Sequence, residues 1–127
     1  MGRSLTPDEA KLTRWMLEHG NSEARAYLPQ LERATATSWR CPCGCASFNL
    51  AIDGLPESSD GLNILADFVF GTDADLSGIF VFEKGGILSG VEVYGLAAQA
   101  PNTLPAPHAL RPLADEVNKT PDADKLK

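Results

Sequence analysis

Long apolar runs, basic residues and clustered ligand residues are all scarce in this chain, and each shortage removes a class of function. The longest unbroken aliphatic or aromatic run is Ile79-Phe80-Val81-Phe82, far short of the roughly 20 apolar residues a membrane helix needs. Eleven Lys and Arg stand against seventeen Asp and Glu, a net charge of -6. That excludes the basic footprint of a general nucleic-acid binder and of a polybasic membrane-surface protein. Histidine occurs only as His19 and His108, and the three cysteines all fall within Cys41–Cys45. An odd, local set of cysteines is not the disulfide framework of a secreted domain. Residues 1–10 include Arg3, Asp8 and Glu9 and lack the apolar stretch of a secretory signal. A reducing, cytoplasmic setting is expected. No Gly-x-Ser-x-Gly, phosphate loop or dinucleotide fingerprint occurs.

What is present is enough for one folded domain. The chain has 127 residues, 43% of them hydrophobic, and domains commonly run about 100–150 residues. The expectation is a single α+β domain over 1–113 and a flexible C-terminal tail over 114–127. Thr6-Pro7-Asp8-Glu9 reads as a helix start with a capping box and proline in the first turn. Leu12, Trp15, Met16 and His19 then recur on one apolar stripe. A second helix is expected from a Ser22 cap to about Arg33, broken near Pro29 because proline lacks the donor for the preceding turn.

From Thr35 the period becomes that of strands. About five are expected, in an antiparallel meander on which the two helices pack. Lys84-Gly85-Gly86-Ile87 has the two-residue glycine loop of a tight hairpin. Setting Lys84 opposite Ile87 places Phe82 against Ser89 and Phe80 against Val91. Phe80, Phe82, Val91 and Val93 are then the face covered by the helices. Leu104, Leu110 and Leu113 are expected to pin a proline-rich segment across the domain.

Cys41-Pro42-Cys43-Gly44-Cys45 admits three readings. In the first, the thiols bind zinc. Side chains at i and i+2 of a flat strand stand about 6.8 Å apart, so a shared ion requires a sharp turn, which Pro42 and Gly44 would supply. The usual second pair of ligands is missing; the distant donors of the right kind are His19 and His108, plus carboxylates, and His19 is the candidate taken with the cysteines. In the second reading, a strained disulfide in the cluster does redox chemistry, although Arg40 is the only nearby cation to activate a thiol. In the third, the thiols are small hydrophobes packed beneath a turn.

The negative charge is lopsided. Residues 41–83 carry seven acidic side chains and no Lys or Arg. An acidic face steering a basic protein partner is the functional reading, with Asp67, Asp73, Asp75, Glu83 and Glu92 as its candidates. No catalytic set is expected. Glu83 and Glu92 lie about 14 Å apart on one face in the expected register, and a hydrolase would need one of them to meet His19.

The stretches Trp15–Gly20, Tyr27–Glu32, Cys41–Cys45 and Leu88–Tyr94 resemble an uncharacterised family of small bacterial α+β proteins with a Cys-x-Cys-Gly-Cys turn. The resemblance implies a bacterial, cytoplasmic origin and assigns no activity. The architecture is similar to that of immunity proteins, by analogy alone. The leading expectation is a non-enzymatic protein-interaction module with an acidic face and no cofactor. The alternative is a zinc or thiol redox protein using Cys41, Cys43, Cys45 and His19.

Overall fold

A computed structural model describes residues 2–113; the expected flexible tail, 114–127, lies outside the described residues. Helix α1 spans Pro7–Glu18. Thr6 accepts the Glu9 N–H and the Glu9 carboxylate accepts the Thr6 N–H, so two orphan donors of the first turn are satisfied. Both guanidinium arms of Arg3 bond the same carboxylate at 2.8 Å, which lets Glu9 be buried as an ion. The buried stripe is Glu9, Leu12, Thr13, Met16 and Leu17. It is rotated from the expected one, so Trp15 is half-buried and His19 exposed.

The second helical stretch divides at its proline. A 3-10 turn over Ala24–Tyr27 leads into α2, Leu28–Leu31, with Pro29 in the first turn where its missing donor costs nothing. Asn21, rather than Ser22, makes the entry turn, its side chain accepting the Glu23 N–H at 2.9 Å.

Among the described residues six strands follow: β1 Ala34–Ala36, β2 Phe48–Ile52, β3 Leu62–Phe70, β4 Ser77–Lys84, β5 Ile87–Gly95 and β6 Arg111–Pro112. All pair antiparallel, in the order β1-β2-β5-β4-β3-β6. The fold is therefore α+β, helices first and sheet after. Strands β3, β4 and β5 form a meander, while β2 lies beside β5, a Greek-key order. The connection from β2 to β3 spans three strand positions, about 14 Å at 4.8 Å each.

Gly85 and Gly86 make the hairpin turn with φ of 60° and 83°, and Lys84 faces Ile87 as expected. The register then slips by one. Phe82 pairs with Gly90, Val81 with Val91, Phe80 with Glu92 and Ile79 with Val93, leaving Ser89 as the extra residue of a bulge. A one-residue slip exchanges faces. The helices cover Ile79, Val81, Leu88, Val91 and Val93, and Phe80 and Phe82 turn to the opposite face. Ring size explains the choice. The slipped register sets Phe82 against Gly90 and Tyr94 against Gly78. A Cβ on Gly78 would lie 2.1 Å from the Tyr94 ring, so the phenol rests where a side chain would otherwise stand.

Both edges of the sheet are occupied. Arg3 exchanges two backbone bonds with Ala36 beside β1. Strand β6 pairs with β3 at Phe68 and Val69, and Asn21 donates to the Leu65 and Ile64 carbonyls farther along. Leu110 is buried in the core and Leu104 packs against it, so the proline-rich segment is pinned. Among the described residues, no helix is long and apolar enough to cross a membrane.

Candidate functional site

The cysteines lie on the loop between β1 and β2. Pro42 and Cys43 form the centre of a turn closed by the Gly44 N–H, which donates to the Cys41 carbonyl at 3.0 Å. Proline at the second turn position and glycine at the fourth suit a type I turn. Gly44 has φ of 84°, a conformation that reverses the chain after the turn and is strained for other residues. The result brings side chains from alternate positions together. The three Sγ atoms lie within 4.8 Å of one another. Those of Cys41 and Cys43 are 2.7 Å apart, and the Cys45 N–H donates to Cys43 Sγ at 3.4 Å. Two sulfurs bound about 2.3 Å from one tetrahedral ion stand about 3.8 Å apart, inside the range these thiols span.

The thiols are not core filler. Cys43 is exposed, Cys41 and Cys45 are half-buried, and all three are free. Their environments differ. The Cys43 thiol is pushed up to about 11, first by its bond with Cys41 and then by that with Cys45. Burial alone would raise Cys45, but the hydroxyl and N–H of Ser47, with the Cys43 and Cys41 thiols, stabilise its anion and bring it down to about 7. Ser47 also belongs to the sheet. Its Oγ accepts the Val93 N–H at 2.8 Å and donates to the Val93 carbonyl at 3.2 Å, continuing the β2–β5 ladder beyond Phe48. Cys45 Sγ donates to that same oxygen at 3.2 Å. Sequence reasoning missed Ser47. Its one signal was a hydroxyl two residues after the last cysteine.

Cys41 and Cys45 line a cavity of about 700 Å³, with Arg3, Arg40, Trp39 and Leu104 among its walls. The cavity lies against the N-terminal turn of α1. Glu9 also faces it, but its carboxylate is engaged by Arg3 and Thr6, which hold it below the ordinary carboxylate range.

His19 is not in the sulfur group. It is the C-cap of α1, stacked on Trp15 with centroids 4.1 Å apart and with Nδ1 2.8 Å from the Trp15 carbonyl. The five candidate carboxylates fall in three places. Asp67 and Glu92 flank Phe80 in one row across the sheet face away from the helices. Burial pushes the Asp67 carboxyl up, against the bond it accepts from the Tyr94 hydroxyl at 3.4 Å. Asp73 and Asp75 occupy the turn between β3 and β4, where Asp75 accepts the Thr72 N–H and hydroxyl at 2.6 and 2.7 Å. Glu83 sits on the helix side of β4, accepting the Gly86 N–H at 2.8 Å and the Asn63 amide at 2.9 Å. The bulge thus puts Glu83 and Glu92 on opposite faces, not on the shared face expected, and neither meets His19.

No protein-family model, curated protein or solved structure matches the chain.

Proposed function

We propose that this chain is a small thiol-based metal-binding protein whose site is Cys41, Cys43 and Cys45. The convergence of three free Sγ atoms within 4.8 Å carries the reading. Soft sulfur donors select thiophilic ions, and the adjoining cavity gives an ion a path to the loop. The residues suit zinc in donor type and spacing, with a coordination position left over, since structural zinc takes four ligands. An ion held there would cross-link the Cys41–Cys45 turn within the loop that joins β1 to β2. The test is titration of the reduced, full chain with cobalt(II) as a spectroscopic stand-in for zinc. One equivalent producing sulfur-to-metal charge-transfer bands, lost in Cys43→Ser, is the expected result. Thiols that stay open to a titrant at saturating metal would defeat the reading.

A second reading has its own observation. Asp67, Phe80 and Glu92 form one row across β3, β4 and β5, beside the exposed Leu62 and Ile64. Carboxylates bordering apolar side chains suit a basic protein partner, the acidic-face expectation narrowed to two of its five residues. Retention of such a partner at low salt, released by moderate salt and by Glu92→Gln, is the expected outcome. Retention unaffected by either would count against it.

A further inference from the structure

We infer that the cysteine loop favours an ion satisfied by three sulfurs, specifically trivalent arsenic delivered as arsenous acid, over four-coordinate zinc. This deepens the metal-binding reading and rests on it. Ligand number comes first. Among the described residues, no fourth His, Cys, Asp or Glu joins the sulfur group. Asp8 lines the neighbouring cavity but stands outside that group. Glu9 has its carboxylate held by both arms of Arg3 and by the Thr6 N–H. His19 has Nδ1 against the Trp15 carbonyl. Zinc would have to complete its tetrahedron with water. Trivalent arsenic forms three bonds and keeps a lone pair in the fourth direction, so it needs no further donor.

Placement is the second point. All three donors come from five consecutive residues, with Cys41 and Cys45 on the wall of the 700 Å³ cavity. Donors from one short loop approach an ion from one side, which suits a pyramidal centre better than a surrounded one. The third point is charge. Three thiolates carry three negative charges. A divalent ion leaves one uncompensated and a monovalent ion leaves two, with Arg40 on the cavity wall left to meet them, since Arg3 there is engaged by Glu9. A trivalent centre leaves none.

The reaction balances without a redox partner. Arsenous acid has three As–OH groups. Each As–O bond breaks as an As–S bond forms, and each thiol proton leaves with the departing hydroxide as water. One acid and three thiols give one tris-thiolate centre and three waters, with arsenic remaining trivalent.

The test uses the reduced full chain with sodium arsenite, zinc(II) and copper(I) as separate probes. Expected are one arsenic per chain by mass spectrometry, loss of all three titratable thiols, and displacement of bound zinc with a preference above about tenfold. Cys41→Ser, Cys43→Ser and Cys45→Ser, each shown to be folded by circular dichroism, should lose that preference. Zinc or copper binding that arsenite fails to displace would overturn the inference and leave the metal-binding reading standing. Arsenite that protects only two thiols would also overturn it, because the site would then be a dithiol. Binding of none of the three ions would end both.

Discussion

Cys45 and Cys43 are two residues apart and shifted in opposite directions, to about 7 and about 11. Alkylation follows the thiolate. Cys45 should therefore react with iodoacetamide at a rate half-maximal near pH 7, while Cys43 stays slow far into alkali. Peptide mapping across a pH series reads both, and Cys43 and Cys45 titrating together would contradict the assignment. Ser47→Ala removes a bond to the Cys45 anion and should move its midpoint upward. Glu9 gives a second prediction. Its bonds to Arg3, working against burial and aided by Thr6, lower its pKa in the fold. A carboxyl lowered on folding contributes stability that is present above its unfolded value, about 4.3, and lost as pH falls through the folded one. Glu9→Gln should cost about 1–2 kcal/mol at neutral pH and almost nothing in strong acid. Asp67 has the opposite sign, since burial raises it. Asp67→Asn should therefore help more at neutral pH than in acid.

At the scale of elements, two side chains stand in for missing strand neighbours. Strand β5 pairs with β2 at Val91 and Gly90 only. On one side Ser47 takes over. On the other, Gln30 of α2 accepts the Leu88 N–H at 2.8 Å and donates to the Gly86 carbonyl at 2.9 Å. Gln30→Ala should destabilise the protein by about 1–3 kcal/mol, because Leu88 is buried and its donor would be unsatisfied. Chemical denaturation measures this. The bulge makes a sharper prediction. Deleting Ser89 leaves Phe82 opposite Gly90 and every later pair unchanged, so the shortened chain should fold with the same faces buried. In a hairpin without the bulge, the same deletion would turn Glu92 into the core. A cooperative melt with native near-ultraviolet dichroism would distinguish the two. Helix α1 and the glycine turn were legible in the sequence because Thr6, Pro7, Glu9 and Gly85-Gly86 act locally. The bulge was not, because its residue is small and its cause is remote: the Tyr94 ring over Gly78 and the Phe82 ring over Gly90.

For the molecule as a whole, the order of the strands was the hardest thing to read. Consecutive strands are neighbours more often than not, which favours a plain meander. The warning was the polar stretch between Ile52 and Leu62, longer than the two to five residues usual in hairpin loops. The candidate site was legible in part. The need for a turn at Pro42 and Gly44 followed from strand spacing, and the turn exists. The division of the carboxylates could not be read, because it depends on the slipped register. Zinc bound to the folded chain and not to the unfolded one should raise the melting temperature, by about 2.7 kcal/mol of stability at a hundredfold excess over the dissociation constant. The Cys43→Ser protein should show no such gain. Ser47 has a single hydrogen to give. Once the Cys45 sulfur is an anion, that hydrogen is drawn toward it and away from the Val93 carbonyl; once the sulfur holds an ion, Ser47 Oγ loses the S–H it accepted, and its bonds to Val93 shift in turn. Val93 lies in the interior, yet its amide resonance should act as a remote reporter, shifting whenever chemistry occurs at the surface thiols.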